Sequence, residues 1–113
     1  MNTIERRRYH RINVSWPISI VSDGEIIDGD TINITVDGVL ISCEEPLQLN
    51  ETLRISIDPP NHQSIWVTGK VIWSDQYAID ERNVTFGMGI CFVKISDVDR
   101  HFLKDLVSAH SKE

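Results

Sequence analysis

Apolar and polar positions alternate with a period of two along most of this chain. Across residues 12–21, Ile12, Val14, Trp16, Ile18 and Ile20 share one side, which predicts a half-buried strand, and Pro17, lacking an amide donor, puts it at an edge or a bulge. Ser22-Asp23-Gly24-Glu25 is a turn signal and predicts a hairpin into a second strand over 26–35, bulged near Gly29. Val36-Asp37-Gly38 reads as a tight corner before a short apolar strand, 39–43. After a loop containing Pro46, residues 53–58 alternate cleanly until Asp58-Pro59-Pro60-Asn61 stops them. Residues 65–74 form the next strand, 75–83 a polar connection, and 84–95 a long last strand in which Gly87 and Gly89 permit a bend.

The period then changes. Ser96 followed by Asp97 and Asp99 is a helix N-cap with acids in the first turn. Val98, Phe102, Leu103, Leu106 and Val107 recur at helical spacing and predict one apolar stripe. Six strands and one terminal amphipathic helix predict a mainly β fold: a six-stranded antiparallel barrel, Greek-key or split, with a C-terminal α-helix docked against it.

The 113 residues make one domain, with a mobile arginine-rich arm at 1–11, the barrel at 12–95 and the helix at 97–110. At 41% hydrophobic the chain is too apolar for disorder, yet no run approaches a membrane span and the charged start is no signal peptide; the expected location is the cytoplasm, with no membrane partner. Cys43 and Cys91 each lie in an apolar run without a clustered ligand, so two buried free thiols are expected and no metal or other cofactor.

Charge changes the picture more than composition does. Arg6, Arg7, Arg8 and Arg11 crowd into the first eleven positions, whereas residues 12–113 hold seven Lys or Arg against sixteen Asp or Glu, a net of −9. So acidic a body repels a polyphosphate, which argues against a nucleic-acid partner. A short cationic arm on it suits one small anion instead. Guanidinium presents a planar fork to phosphate oxygens and stacks on flat faces.

Enzyme chemistry is missing from the sequence. There is no nucleophile elbow, P-loop or dinucleotide fingerprint, and His10, His62, His101 and His110 stand singly. The expectation is a binding module and no enzyme. Trp16, Trp66 and Trp73 read as core or rim packing.

Two elements remain: Arg7-x-x-x-Arg11 just before the first strand, and Asn33-x-Thr35-x-x-Gly38 at the corner. In an extended segment Asn33 and Thr35 point to the same face, and Gly38 lets a neighbour come close. In order and at this separation the two motifs resemble those of the PilZ domain, the bacterial receptor family for cyclic di-GMP. Gly69-Lys70-Val71-Ile72-Trp73 resembles the family's late strand, and 87–92 its last strand before the helix.

The resemblance implies ligand binding and signalling to a downstream protein partner not named by the sequence. By similarity, Arg7 and Arg11 contact phosphate and guanine edges, and Asn33 and Thr35 hydrogen-bond the ligand from the barrel face, with Gly38 making room. Arg6 accompanies binding of a stacked ligand pair, and Arg8 completes the candidate set. Thr35 stands where the family usually has serine, which keeps the hydroxyl but stiffens χ1. The alternative is a PilZ-like adaptor that binds a protein and no nucleotide.

Overall fold

The computed structural model describes residues 11–78 and 84–110. Six strands are formed: β1 (Pro17–Ser22), β2 (Glu25–Ile34), β3 (Gly38–Cys43), β4 (Thr52–Ile57), β5 (Ile65–Ala78) and β6 (Val84–Ile95). They close into an antiparallel barrel in the order β1-β2-β3-β6-β5-β4, and one helix, α1 (Asp97–His110), follows. The predicted fold class is the observed one. Two three-stranded meanders, β1-β2-β3 and β4-β5-β6, meet along the β3–β6 and β1–β4 seams.

Alternation explains the interior. Ile18, Ile20, Ile34, Ile41, Ile55, Ile57, Ile65, Val67, Val71, Met88 and Ile90 point inward and are buried. β-branched side chains dominate because they pack well on a pleated, half-buried surface. Asp23 and Gly24 join β1 to β2 with φ of 51° and 80°, the two positive values that a two-residue hairpin turn requires.

Helix α1 begins where expected. The Ser96 hydroxyl accepts the Asp99 amide at 3.1 Å, satisfying a donor that the first turn leaves unpaired. Leu103 and Val107 join the barrel core, with Phe102 and Leu106 packed against it. The Phe102 ring stacks on His62 of the β4–β5 loop at 3.7 Å between centroids. Val98 departs from the predicted stripe: it is 76% exposed, one turn too early to reach the core.

Three strand expectations are corrected. Residues 12–16 do not continue β1 as a ladder; they run beside β2, fastened at Ile12 and Trp16, because Pro17 has no amide to extend the pairing. Residues 75–78 belong to β5 rather than to a connection, since the β5–β6 ladder runs on from Asp75↔Gly87 to Ala78↔Val84. The β2 bulge lies at Ile32, not near Gly29. Gly29 serves close approach instead, because a Cβ there would stand 2.5 Å from the Ser42 carbonyl oxygen.

One of the two thiols also differs from expectation. Cys43 is buried, whereas Cys91 is exposed, on the outward side of β6.

Candidate functional site

The corner between β2 and β3 is built by Thr35. Its Oγ1 accepts the amides of Asp37 at 3.0 Å and Gly38 at 3.1 Å, and the Thr35 amide donates to the Gly38 carbonyl at 2.9 Å. Both acceptor positions of the hydroxyl are therefore occupied. Its proton is held only by a long 3.4 Å contact to the Gly38 carbonyl, which leaves it free to be donated elsewhere. Gly38 has no left-handed φ; a Cβ there would run into the carbonyl oxygen of Ile90 on β6, so glycine is required for strand approach.

Asn33 owes its position to the bulge. Along β2, Ile27 and Thr31 face inward, and strict alternation would send residue 33 inward as well. Thr31 pairs with Ile41 but Asn33 pairs with Leu40, so Ile32 is an extra residue and the side assignment switches. Ile34 thereby enters the core, while Asn33 turns outward, half-buried. Among the described residues, its side-chain amide makes no hydrogen bond.

The beginning of the described chain arrives at this corner. Ile12 and Ile34 exchange both backbone hydrogen bonds at 3.0 Å, an antiparallel bridge that sets Arg11 alongside Thr35 and Asn13 alongside Asn33. Ile12 and Ile34 are both buried, so their neighbours Arg11 and Thr35 belong to the outer face. Arg11 is exposed. The sequence motif and the corner motif thus meet at Arg11. Arg6, Arg7 and Arg8 lie outside the described residues.

Thr31, which sequence reasoning passed over, fastens this arrangement. It is 2% exposed; its hydroxyl accepts the Trp16 amide at 2.8 Å and donates to the Val14 carbonyl, and its own amide donates to the Trp16 carbonyl at 2.9 Å. A buried hydroxyl needs such partners. A lone polar residue on an otherwise apolar side of β2 is the only trace this leaves in the sequence.

A second bulge lies in the same cross-strand row. Val71 pairs with Ile90 but Trp73 pairs with Gly89, making Ile72 the extra residue and turning Trp73 outward. The row runs Asn33, Leu40, Gly89, Trp73 across β2, β3, β6 and β5. Trp73 is 43% exposed and leans on Gly89, whose missing side chain leaves room for it. Trp16 is core, and Trp66 lies elsewhere on the rim. The outward Cys91 pairs with Gly38 on one side and Lys70 on the other. Asp37, at the corner, is 3.4 Å from Arg100 of α1, an exposed pair of little energetic weight.

The face therefore offers a guanidinium, a free amide, a donatable hydroxyl and a flat indole. Among the described residues no three His, Cys, Asp or Glu side chains converge to hold a metal ion. No helix among them is long and apolar enough to cross a membrane.

The PilZ domain family model matches residues 5–109. The chain belongs to the PilZ domain family. Three solved PilZ-type structures share its fold. The inhibitor of motility MotI/DgrA of Bacillus subtilis superposes with a TM-score of 0.77 at 21% identity, over 94% of this chain and 51% of its own. The PilZ domain of Escherichia coli YcgR with c-di-GMP gives 0.76 at 17% identity, over 95% and 92%. PlzA of Borreliella burgdorferi in complex with c-di-GMP gives 0.70 at 11% identity, over 96% and 54%. This chain spans about half the length of MotI and PlzA but nearly all of the isolated YcgR domain. No functionally curated protein matches the sequence.

Proposed function

We propose that this PilZ domain is a cyclic di-GMP receptor module, a binding protein rather than an enzyme, acting in the cytoplasm. The observation that carries the reading is the meeting of Arg11 with the Asn33–Thr35–Gly38 corner on one outward face. Two of the solved neighbours, of YcgR and PlzA, hold this ligand. Arg11 and Arg7 grip phosphate and the guanine O6/N7 edge with their planar forks, and Arg6 and Arg8 add charge beside them. Asn33 pairs with a guanine edge, Thr35 donates its weakly held proton, Gly38 keeps β3 close to β6, and the indole of Trp73 borders the bases. The ligand, as one molecule or a stacked pair, orders the arm over the barrel and so presents a new surface to a protein partner.

Thermal unfolding with ligand tests this. A ligand bound only by the folded state adds about 2.7 kcal/mol at one hundred times its Kd. At roughly 4 °C per kcal/mol for a domain of this size, cyclic di-GMP raises Tm by about 10 °C, whereas GMP and cyclic AMP leave it in place. Arg7→Ala and Arg11→Ala each remove most of the shift with the unliganded Tm unchanged. Variants that keep the full shift refute the site. No shift in the parent protein assigns the chain to the nucleotide-free adaptors.

A further inference from the structure

The described cations of the barrel body stand on three consecutive neighbours in the barrel. Among the described residues 12–95 the positive side chains are Arg54, Lys70 and Lys94, one each on β4, β5 and β6. Arg54 pairs with Thr68 and Thr68 with Lys94, so two cations flank one threonine, about 10 Å apart at the usual strand spacing. Lys70 lies two residues further along β5. A third bulge, with Val93 as the extra residue between the Thr68 and Gly69 partners, turns Lys94 outward beside Thr68.

This face is shaped as well as charged. Between Arg54, Trp66, Thr68, Lys94 and Ser96 lies a groove of about 270 Å3. The Arg54 guanidinium stands 5.1 Å from the Trp66 ring centroid, a cation–π contact that holds the fork in place above a ring still 46% exposed. No carboxylate lines the groove, and no described ion pair neutralises Arg54, Lys70 or Lys94. Asp28, Asp30, Glu44 and Glu45 line a separate groove of about 660 Å3 at β2 and the end of β3, while Asp97 and Asp99 follow Ser96 in the first turn of α1, at the margin of the cationic groove.

We propose that the outer face of β4, β5 and β6, at the start of α1, docks an acidic segment of a partner protein. Charge complementarity selects the sign: three uncompensated cations stand on a body of net −9. The groove falls below the roughly 300–1,000 Å3 of small-molecule sites and fits side chains. A duplex or long single strand would meet the acidic remainder of the surface. The closed barrel has no free edge, so a partner cannot add a strand and must be read through side chains, as a carboxylate is by an arginine fork. Lys70 adjoins the corner through Cys91 and Gly38, but the groove at Arg54, Thr68 and Lys94 lies two residues earlier on β5, and it stands whether or not the corner takes cyclic di-GMP.

A fluorescein-labelled peptide rich in Glu, Asp and Leu is the probe, followed by anisotropy and then by carbodiimide coupling of its carboxylates to lysines. Binding at low ionic strength is expected, with cross-links on Lys94 and Lys70 and not on Lys104 of α1. Arg54→Glu combined with Lys94→Glu lowers affinity about tenfold or more with Tm and the response to cyclic di-GMP unchanged, while Arg54→Lys with Lys94→Arg retains binding. Cross-links spread evenly over the lysines, affinity indifferent to the double reversal, or stronger binding of a thymidine oligonucleotide than of the peptide each overturn the proposal.

Discussion

The two cysteines show how far one residue's environment departs from its sequence context. Both sit in apolar strands, but Cys43 points into the barrel and Cys91 out of it. Burial pushes the Cys43 thiol above the ordinary 9.0, the Glu45 charge pushes it the same way, and a backbone hydrogen bond at Glu45 opposes both. A raised folded-state value means that the stability from the neutral thiol is complete below pH 9.0 and is lost as pH climbs through the raised value. Tm therefore falls more steeply above pH 9 in the parent protein than in Cys43→Ala, as a pH series of melting curves reads. Because the thiolate is the nucleophile, iodoacetamide adds once to the native protein, at Cys91, and a second time only after unfolding; mass spectrometry of the adducts distinguishes the two. A run such as Ile90-Cys91-Phe92 leaves open which side holds the cysteine, since all three residues are apolar and only the register decides.

At the scale of elements, the strands and helix were legible because each carries its own period, and the hairpin because Asp23-Gly24 supplies the turn. The corner was legible too: Asn33, Thr35 and Gly38 stand within six residues, and Arg11 precedes β1 closely enough to meet them. The bulges were not. Ile32, Ile72 and Val93 are ordinary β-formers, and their status as extra residues exists only in the pairing with neighbouring strands. The same blindness hid Thr31, whose hydroxyl joins the segment 12–16 to β2. Thr31→Val, nearly isosteric, strands the buried Trp16 amide and Val14 carbonyl and lowers stability by about 1–3 kcal/mol in denaturant titrations. Because that segment carries Arg11, cyclic di-GMP also binds more weakly to Thr31→Val, and calorimetric titration measures the loss.

For the whole molecule, the unevenness of charge is the governing fact: four arginines within the first eleven residues, and a net of −9 over residues 12–113. Exposed charge is screened within about 8–10 Å at physiological salt. Affinity for cyclic di-GMP accordingly falls as ionic strength rises, without collapsing, because guanine hydrogen bonds and stacking persist. Affinity equal at low and high salt would take Arg7 and Arg11 out of contact with phosphate.

The bulge at Ile32 bears on how this barrel tolerates change. Upstream of it the odd-numbered residues of β2 face the interior; downstream the even-numbered ones do. Position 32 thus acts like a blank in a printed line, which the ladder skips so that the letters after it keep their column. Many side chains can occupy that outward site, and a chain one residue shorter there would keep Asn33 outward and Ile34 inward on an unbroken ladder. Taking residue 32 into the regular pairing, by contrast, would carry Asn33 into the interior and expel Ile34, turning the proposed recognition face inside out without altering any of its residues.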